Sequence, residues 1–377
     1  MLKNILIFFL ISTSLYAVSL KELLNSIEVT NENYQAQQAL QQMAKKQYES
    51  ASKDNFPTLN LIGAYENNSK VLEHEPEDIL YGELKASYTL YDGGRITNNK
   101  LAKKSLHESQ KFNTQYLKQE IMLDVIREYF SFQNSKSAIE VLNYKINELD
   151  EQIKKSEILV KNDLVTKDKL QALIASKKES LYDIETLKID LENSILQLSL
   201  LTGVDILPQD DDKLLEPVYK EEQRYDIEAK KLEAQSSKYS SEKYNYLPTI
   251  SINNSLKKQE YLHYDEIYND KLNNQISLQI NIPIFDFGKI SKDKEASQLE
   301  TLALNKEIEY KEKSIQIERK LALKSLESSK IKLDSAIAAL EATNTTYDFS
   351  KKRFDANLIS YTEYLTELTK KQDANYR

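Results

Sequence analysis

Two hydrophobic periods alternate along this chain. In 275–285, Ile276, Leu278, Ile280, Ile282 and Ile284 fall on one side and Gln275, Ser277, Gln279 and Asn281 on the other. A period of two gives a strand one apolar and one polar face. Leu84, Ala86, Tyr88 and Leu90 alternate with Lys85, Ser87 and Thr89 in the same way. Each of these segments follows a Pro-led partner, so the pattern predicts strands at 58–66 and 84–91, then at 249–256 and 275–285. Elsewhere the period lengthens. Ile139, Leu142, Ile146, Leu149, Ile153 and Val160 step by three and four, and Leu333, Ile337 and Leu340 repeat the step, which is the seam of a coiled coil. Helices are predicted at 20–55 and 218–246, and long helical hairpins at 95–202 and 289–377. Each long arm holds about 67 residues, on the order of 100 Å at 1.5 Å per residue.

The order of these elements is written twice. Phe56-Pro57-Thr58-Leu59-Asn60-Leu61 is echoed by Leu247-Pro248-Thr249-Ile250-Ser251-Ile252 at an offset of 191. Leu90-Tyr91-Asp92-Gly93-Gly94-Arg95-Ile96 is echoed by Ile284-Phe285-Asp286-Phe287-Gly288-Lys289-Ile290, and Leu164-Val165-Thr166 by Leu358-Ile359-Ser360, both at 194. Three matches in one order at a nearly constant interval mark an internal duplication. Repeat 1 covers 18–203 with a hairpin tip at 162–166. A linker at 204–217 follows, and repeat 2 covers 218–377 with a tip at 355–360.

Composition narrows the classes. The 377 residues include six Gly and six Pro, and neither type occurs in 95–202 or 289–377, as long helices require. The absence of Cys removes disulfides, thiolate metal sites, cysteine nucleophiles and a lipoprotein anchor. A formal charge of −8 argues against a nucleic-acid partner, which needs a basic surface. His74, His107 and His263 are scattered, there is no Gly-rich phosphate loop, and the Asp210-Asp211-Asp212 run sits in the linker. No enzyme, cofactor or metal is expected.

Residues 1–17 read as a secretory signal cleaved after Ala17: a cationic start at Lys3, an apolar run from Ile5 to Ile11, and a small residue at the cut. An uncleaved anchor is the alternative. No later run is long enough for a membrane helix. The strands, however, have the length that crosses a bilayer when tilted. In lipid an open four-stranded sheet is forbidden, so it must close with other copies. Two copies give eight strands and a filled lumen; three give twelve and a pore. A small soluble sheet packed on a helix competes with this reading, although the helical seams are expected to be occupied by one another. The acidic connections 67–83 and 257–274 suit outer loops, and Tyr65, Tyr81, Tyr88, Phe285 and Phe287 suit an aromatic girdle.

With a leader, two Pro-led strand pairs, two Asp-x-Gly-Arg/Lys elbows and two Leu-Val/Ile-Thr/Ser tips on the page, the chain resembles the TolC-like outer-membrane efflux proteins over nearly all its mature length. The resemblance implies an α+β membrane protein. Its four transmembrane strands per chain would contribute to a twelve-stranded homotrimeric barrel, continued by a coiled-coil helical barrel in the periplasm. It implies a passive exit duct for an efflux or type I secretion system, in contact with outer-membrane lipid. A periplasmic adaptor and an inner-membrane transporter would be its partners. Asp92 with Gly94 and Asp286 with Gly288 would cap and hinge the strand-to-helix elbows. Leu164, Val165, Thr166, Leu358, Ile359 and Ser360 would dock the adaptor, with Thr166 and Ser360 capping the returning helices; plain turn chemistry is the competing account. Glu363 corresponds to the family's entrance ring; a further acidic position of the family is Thr366 here, so a second ring is either missing or displaced to Glu367. Arg353, Asp355, Asp163 and Asp168 would latch the entrance through ion pairs, with a solvated face as the competing account of each. Asp163 and Asn357 stand where the family has Gly. With 20 residues from Leu358 to Arg377 against 39 from Leu164 to Thr202, the last helix is expected to be truncated and to stop halfway up the tunnel, either because the chain is a truncated copy or because a lost end leaves the wall incomplete. The rival function is a secreted or periplasmic coiled-coil structural or adhesive protein.

Overall fold

The structure, a computed structural model, describes residues 17–68, 78–205, 207–209, 224–262, 272–356 and 358–376. The leader at 1–16, His74, His263, the acidic linker run, the first residues of the 218–246 helix and Asn357 lie outside the described residues. The chain divides into two compact units: 1–35, 117–220 and 314–377 form one, and 36–116 with 221–313 the other.

In the first unit β1 (Ala17–Val18) pairs in parallel with β4 (Leu207–Pro208). Helix α1 (Leu20–Thr30) opens with a capping box in which Ser19 and Glu22 bond each other's backbone. The single helix expected over 20–55 is in fact two, α1 and α2 (Glu32–Ala51). Asn31 leaves the helical conformation (φ −75, ψ 116). Its Oδ1 accepts from the Tyr34 N–H at 2.7 Å, while its Nδ2 donates to the Leu201 carbonyl at 2.7 Å. One side chain thus starts α2 and holds the last turn of α4 (Lys167–Thr202). That helix ends at left-handed Gly203 (φ 69), where a Cβ would lie 2.8 Å from the Thr30 carbonyl carbon, so only Gly fits. The core joins Leu23, Ile27, Tyr34, Ile121, Val125, Tyr129 and Leu198. The 67-residue α3 (Arg95–Lys161) buries Leu142 and Leu149 of its predicted seam; Ile139, Ile146, Ile153 and Val160 are half-buried.

The seam predicted on α6 (Lys289–Asp355) is not occupied. Leu333 is 61% exposed and Ile337 is exposed as well. The returning helix α7 (Tyr361–Tyr376) has 16 residues where α4 has 36, so this stretch has no counterpart of α4 among the described residues.

The second unit holds one antiparallel sheet in the order β2-β3-β5-β6. Its strands are β2 (Thr58–Asn67), β3 (Asp78–Tyr91), β5 (Thr249–Leu262) and β6 (Leu272–Asn281). Both central strands run about six residues further than expected and take residues from the predicted connections at 67–83 and 257–274. Clean alternation fails there, in Ile79-Leu80-Tyr81 for example, but the backbone ladder continues. Strand β6 stops at Asn281 instead of Phe285. Its partner β5 begins at Thr249, opposite Asn281, and Pro283 has no N–H to offer. Within the two hairpins the registers agree: Thr58 faces Ser87, and Thr249 faces Asn281, the same pairing under shifts of 191 and 194. Helix α5 (Tyr225–Glu242) is shorter at its end than predicted, because Lys243 to Pro248 lead into β5. Small residues let helices approach here: Ser109 Oγ donates to the Ala229 carbonyl at 2.8 Å and Ser236 Oγ to the Ala102 carbonyl at 2.9 Å. Phe112 packs against Tyr225. Buried Asp226 sits between Arg224 Nη2 at 2.9 Å and Lys311 Nζ at 3.0 Å.

Candidate functional site: sheet face, elbows and tips

Residues directly opposite in a sheet share a face. Leu59 faces Ala86, Leu61 faces Leu84 and Tyr65 faces Leu80. Leu84 also faces Leu256 and Tyr88 faces Ile252, while Ile252 faces Leu278 and Ile250 faces Ile280. One continuous apolar face results across all four strands, and it is uncovered: Leu61 is 83% and Ile276 70% exposed. The opposite face carries Asn60, Glu83, Lys85, Ser87, Asn253, Ser255, Lys257, Gln275 and Gln279. There Ser255 Oγ donates to Glu83 Oε1 at 2.7 Å. Tyr65 and Tyr88 lie on the apolar face. Tyr81 does not: its ring lies on the polar face beneath Lys257 Nζ at 3.9 Å, so it leaves the expected girdle. Phe285 and Phe287 contact each other at 4.6 Å beyond the end of β6.

At both elbows the aspartate does what its spacing predicts. Asp92 Oδ1 accepts from the Gly94 N–H at 2.9 Å and Oδ2 from the Ile96 N–H. Asp286 accepts from the Gly288 N–H at 3.0 Å and the Ile290 N–H at 2.7 Å. The Ile290 N–H above all, and then the Tyr246 hydroxyl at 2.7 Å, hold the Asp286 carboxyl below the ordinary aspartate range. Gly94 (φ 83) and Gly288 (φ 84) are both left-handed, so glycine serves a defined turn here. Arg95 belongs to the elbow motif, but no role for it was expected. Its guanidinium donates to the carbonyls of Asp92 (2.9 Å), Asn245 (3.0 Å) and Leu247 (2.8 Å) and to Thr249 Oγ1 (2.9 Å). It fastens the start of α3 to the entry of β5.

In the other unit the two tips are closed by the same backbone bond. The Leu164 N–H donates to the Leu159 carbonyl at 2.9 Å and the Leu358 N–H to the Arg353 carbonyl at 2.8 Å, a six-to-one closure of the Schellman type. Asp163 adopts the left-handed conformation (φ 56) despite not being Gly. The tips differ in capping. Ser360 and Glu363 form a reciprocal box, Glu363 N–H to Ser360 Oγ at 3.2 Å and Ser360 N–H to Glu363 Oε2 at 2.9 Å. The backbone N–H of Ser360, then its hydroxyl, keeps the Glu363 carboxyl low. Thr166 makes no cap bond to α4, contrary to expectation; its hydroxyl bonds Asp168, whose carboxyl it lowers.

Leu164 is 70% and Leu358 67% exposed, whereas Val165 and Ile359 turn inward. They pack on a cluster that sequence reading missed: Tyr347, Tyr361, Tyr364 and Leu368 with Phe354. Tyr361 Oη lies 2.6 Å from Ser156 Oγ and donates to the Gln152 carbonyl at 3.2 Å, and Tyr347 Oη donates to Glu148 Oε1 at 2.7 Å. Burial above all pushes both phenols up. The spacing of Tyr361, Tyr364 and Leu368 by three and four on α7 was the available signal. A cleft of about 480 Å³ beside the tips is lined by Asp163, Leu164, Lys167, Lys169, Ser360 and Thr362, among others. Of the expected latch residues, Arg353 lies over the Phe349 ring at 5.7 Å, Asp355 is exposed, and among the described residues no ion pair joins Arg353 to Asp163, Asp168 or Asp355. Glu367 pairs with Lys370 at 2.8 Å.

Residues 23–162 match the family model for outer membrane efflux proteins. No curated protein matches the chain significantly. Among solved structures, the chain is similar to CusC, with 18% identity, TM-score 0.82, and coverage of 96% of this chain and 90% of that one. It is similar to the Neisseria gonorrhoeae MtrE outer membrane channel in its open state, with 15% identity, TM-score 0.83, and coverage of 95% and 84%. The Campylobacter jejuni CmeC outer membrane channel gives 16% identity, TM-score 0.81, and coverage of 95% and 81%. The chain has the fold of these channels.

Proposed function

We propose that this chain is one subunit of a trimeric outer-membrane exit duct serving an efflux or type I secretion system. It reaches its site as an exported protein with the leader removed after Ala17. Three copies close a twelve-stranded barrel in the outer membrane, and their long helical hairpins form the periplasmic tunnel below it. The duct is passive: an inner-membrane transporter supplies the energy, and a periplasmic adaptor joins the two at the tips through Leu164 and Leu358. Glu363, Glu367, Arg353, Asp355 and Asp168 surround the entrance, where symmetry-related carboxylates would favour cations.

The observation that carries this reading is the sheet. Its apolar face is bare from β2 to β6, and among the described residues no strand pairs with the outer edge of β2 or of β6. In water such an edge invites aggregation; in lipid an unpaired edge costs several kcal/mol per polar group. Both penalties vanish if the apolar face meets acyl chains and the edges meet other copies. A coiled-coil filament gives that face no role. Membrane fractionation should place the protein in the outer membrane, and an unheated gel should show a trimer that heating dissolves. A monomeric protein recovered from detergent-free buffer overturns the proposal.

A further inference from the structure

The two repeats meet inside one chain where β3 pairs with β5, and the same joint is available once more between chains. Since the hairpin registers coincide under the repeat shifts, β6 is the image of β3 and β2 the image of β5. We propose that β6 of one copy pairs with β2 of the next in the register of the internal joint. Leu278 then faces Tyr65, Asn281 faces Ile62 and Ile282 faces Leu61 of the next copy. The inference rests on the exit-duct reading and deepens it by specifying how the copies join.

The internal pairs Leu84 with Leu256, Ser87 with Asn253 and Tyr88 with Ile252 map onto these three. The mapped register is chemically sound. Leu278, Tyr65 and Leu61 belong to the apolar face and Asn281 and Ile62 to the other, while Ile282 continues the alternation just beyond β6, so the bare face continues into the next copy. A slip of one residue would turn every side chain of β6 to the wrong face. Pro283, which cannot donate to a ladder, is the image of Thr89. The internal joint is irregular there, its register shifting between Thr89 and Tyr91, and bulges are where strands tolerate Pro.

The elbow extends the match. Lys289 is the image of Arg95, and the acceptors of Arg95 in residues 245–249 have their images at Asp54, Phe56 and Thr58. Lys289 is exposed in the single chain, and a Cβ on neighbouring Gly288 would meet nothing within 4 Å. Gly94, the image of Gly288, is nearly as open, but around Gly93 the space is filled, with Leu247 Cβ 2.6 Å from a built Cβ. Phe287 stands at the image of Gly93, so the intermolecular elbow must be wider than the internal one by a side chain. Lys289 suits that wider gap with a single long-stemmed donor, while the strand pairing above is unaffected.

The chain has no cysteine, so cross-links report only what is introduced. In the full-length protein, oxidised in isolated outer membranes, Asn281→Cys with Ile62→Cys and Leu278→Cys with Tyr65→Cys sample both kinds of antiparallel pair, of which the closer suits a disulfide. At least one should give covalent dimers and trimers, at least about tenfold above two slipped controls, Asn281→Cys with Ala64→Cys and Asn281→Cys with Asn60→Cys. Preferential linking of a slipped control, or no linking in a protein that still runs as a trimer unheated, overturns the register and leaves the exit duct standing. No linking in a protein that runs as a monomer under all conditions overturns both.

Discussion

The sharpest test of docking separates Leu164 and Leu358 from their neighbours Val165 and Ile359. Both leucines are about two-thirds exposed. Full burial of a leucine side chain is worth about 1.5–3 kcal/mol, so docking has about 1–2 kcal/mol left to gain at each, or about 2–4 kcal/mol for the pair in one subunit. Losing that weakens adaptor binding by about 30- to 1,000-fold, before counting the cost of burying a new carboxylate. The free tip gives up only the third already covered, about 0.5–1 kcal/mol per site. Leu164→Asp with Leu358→Asp should therefore abolish export in a cell-based accumulation assay and abolish adaptor capture, while unheated trimers stay at the parental level in the outer membrane. Val165→Asp with Ile359→Asp places charges against the aromatic cluster, and should lower trimer yield as well as export. Undiminished export in the double leucine variant would refute the docking role of the tips.

Asp226→Asn should cost about 1–3 kcal/mol, below the range for a fully buried pair because Arg224 and Lys311 can rehydrate; an unchanged urea midpoint refutes it. Burial acts to raise that carboxyl, but Arg224 and Lys311 outweigh it and hold it low, so its stabilisation is present above the ordinary aspartate value and fades as pH falls through the lowered one. The phenols of Tyr347 and Tyr361 are pushed up, so the tip cluster is stable below their ordinary value and should open as the pH rises past about 10. Tyrosinate absorbance should show two late-titrating groups that ionise together with loss of helix, and their titration with the exposed tyrosines would sink this. Arg95→Ala should cost about 2–4 kcal/mol from four charge-assisted bonds. Arg95→Lys should rescue little of it, since a point charge does not span four acceptors; the temperature at which trimers dissociate on a gel reads both.

The parts of the fold visible in the sequence were those carried by short-range periodicity and by repetition. The elbow aspartates and the tips needed no long-range information, because each is closed by bonds within five residues, and the alternation in Gln275–Asn281 is itself a local period. What stayed hidden depends on partners far along the chain. Asn31 reads as one more polar residue in a helix until Leu201 is beside it. Gln152 and Ser156 look like surface positions on α3 until Tyr361 and Tyr364 arrive from repeat 2 to satisfy them. Arg95 is an ordinary first-turn residue until Asn245 and Leu247 supply their carbonyls. The strand ends failed for a related reason: Ile79-Leu80-Tyr81 breaks the alternation, yet a backbone ladder is indifferent to side chains.

The uncovered seam of α6 and the bare sheet face bear on how such a chain can be stable at all. Each unit has its own buried contacts, Leu23 to Leu198 in one and Asp226 with the serine contacts of α5 in the other. Yet Leu61 and Ile276 stay mostly exposed while a chain is alone. In the proposed duct the sheet face is buried by lipid and by the neighbouring copies, so on that reading much of its apolar stabilisation belongs to the assembly and not to the subunit. This also gives a physical reason for the duplication. A sheet built from two copies of one hairpin carries, in the middle of each subunit, a working example of the joint proposed between neighbours.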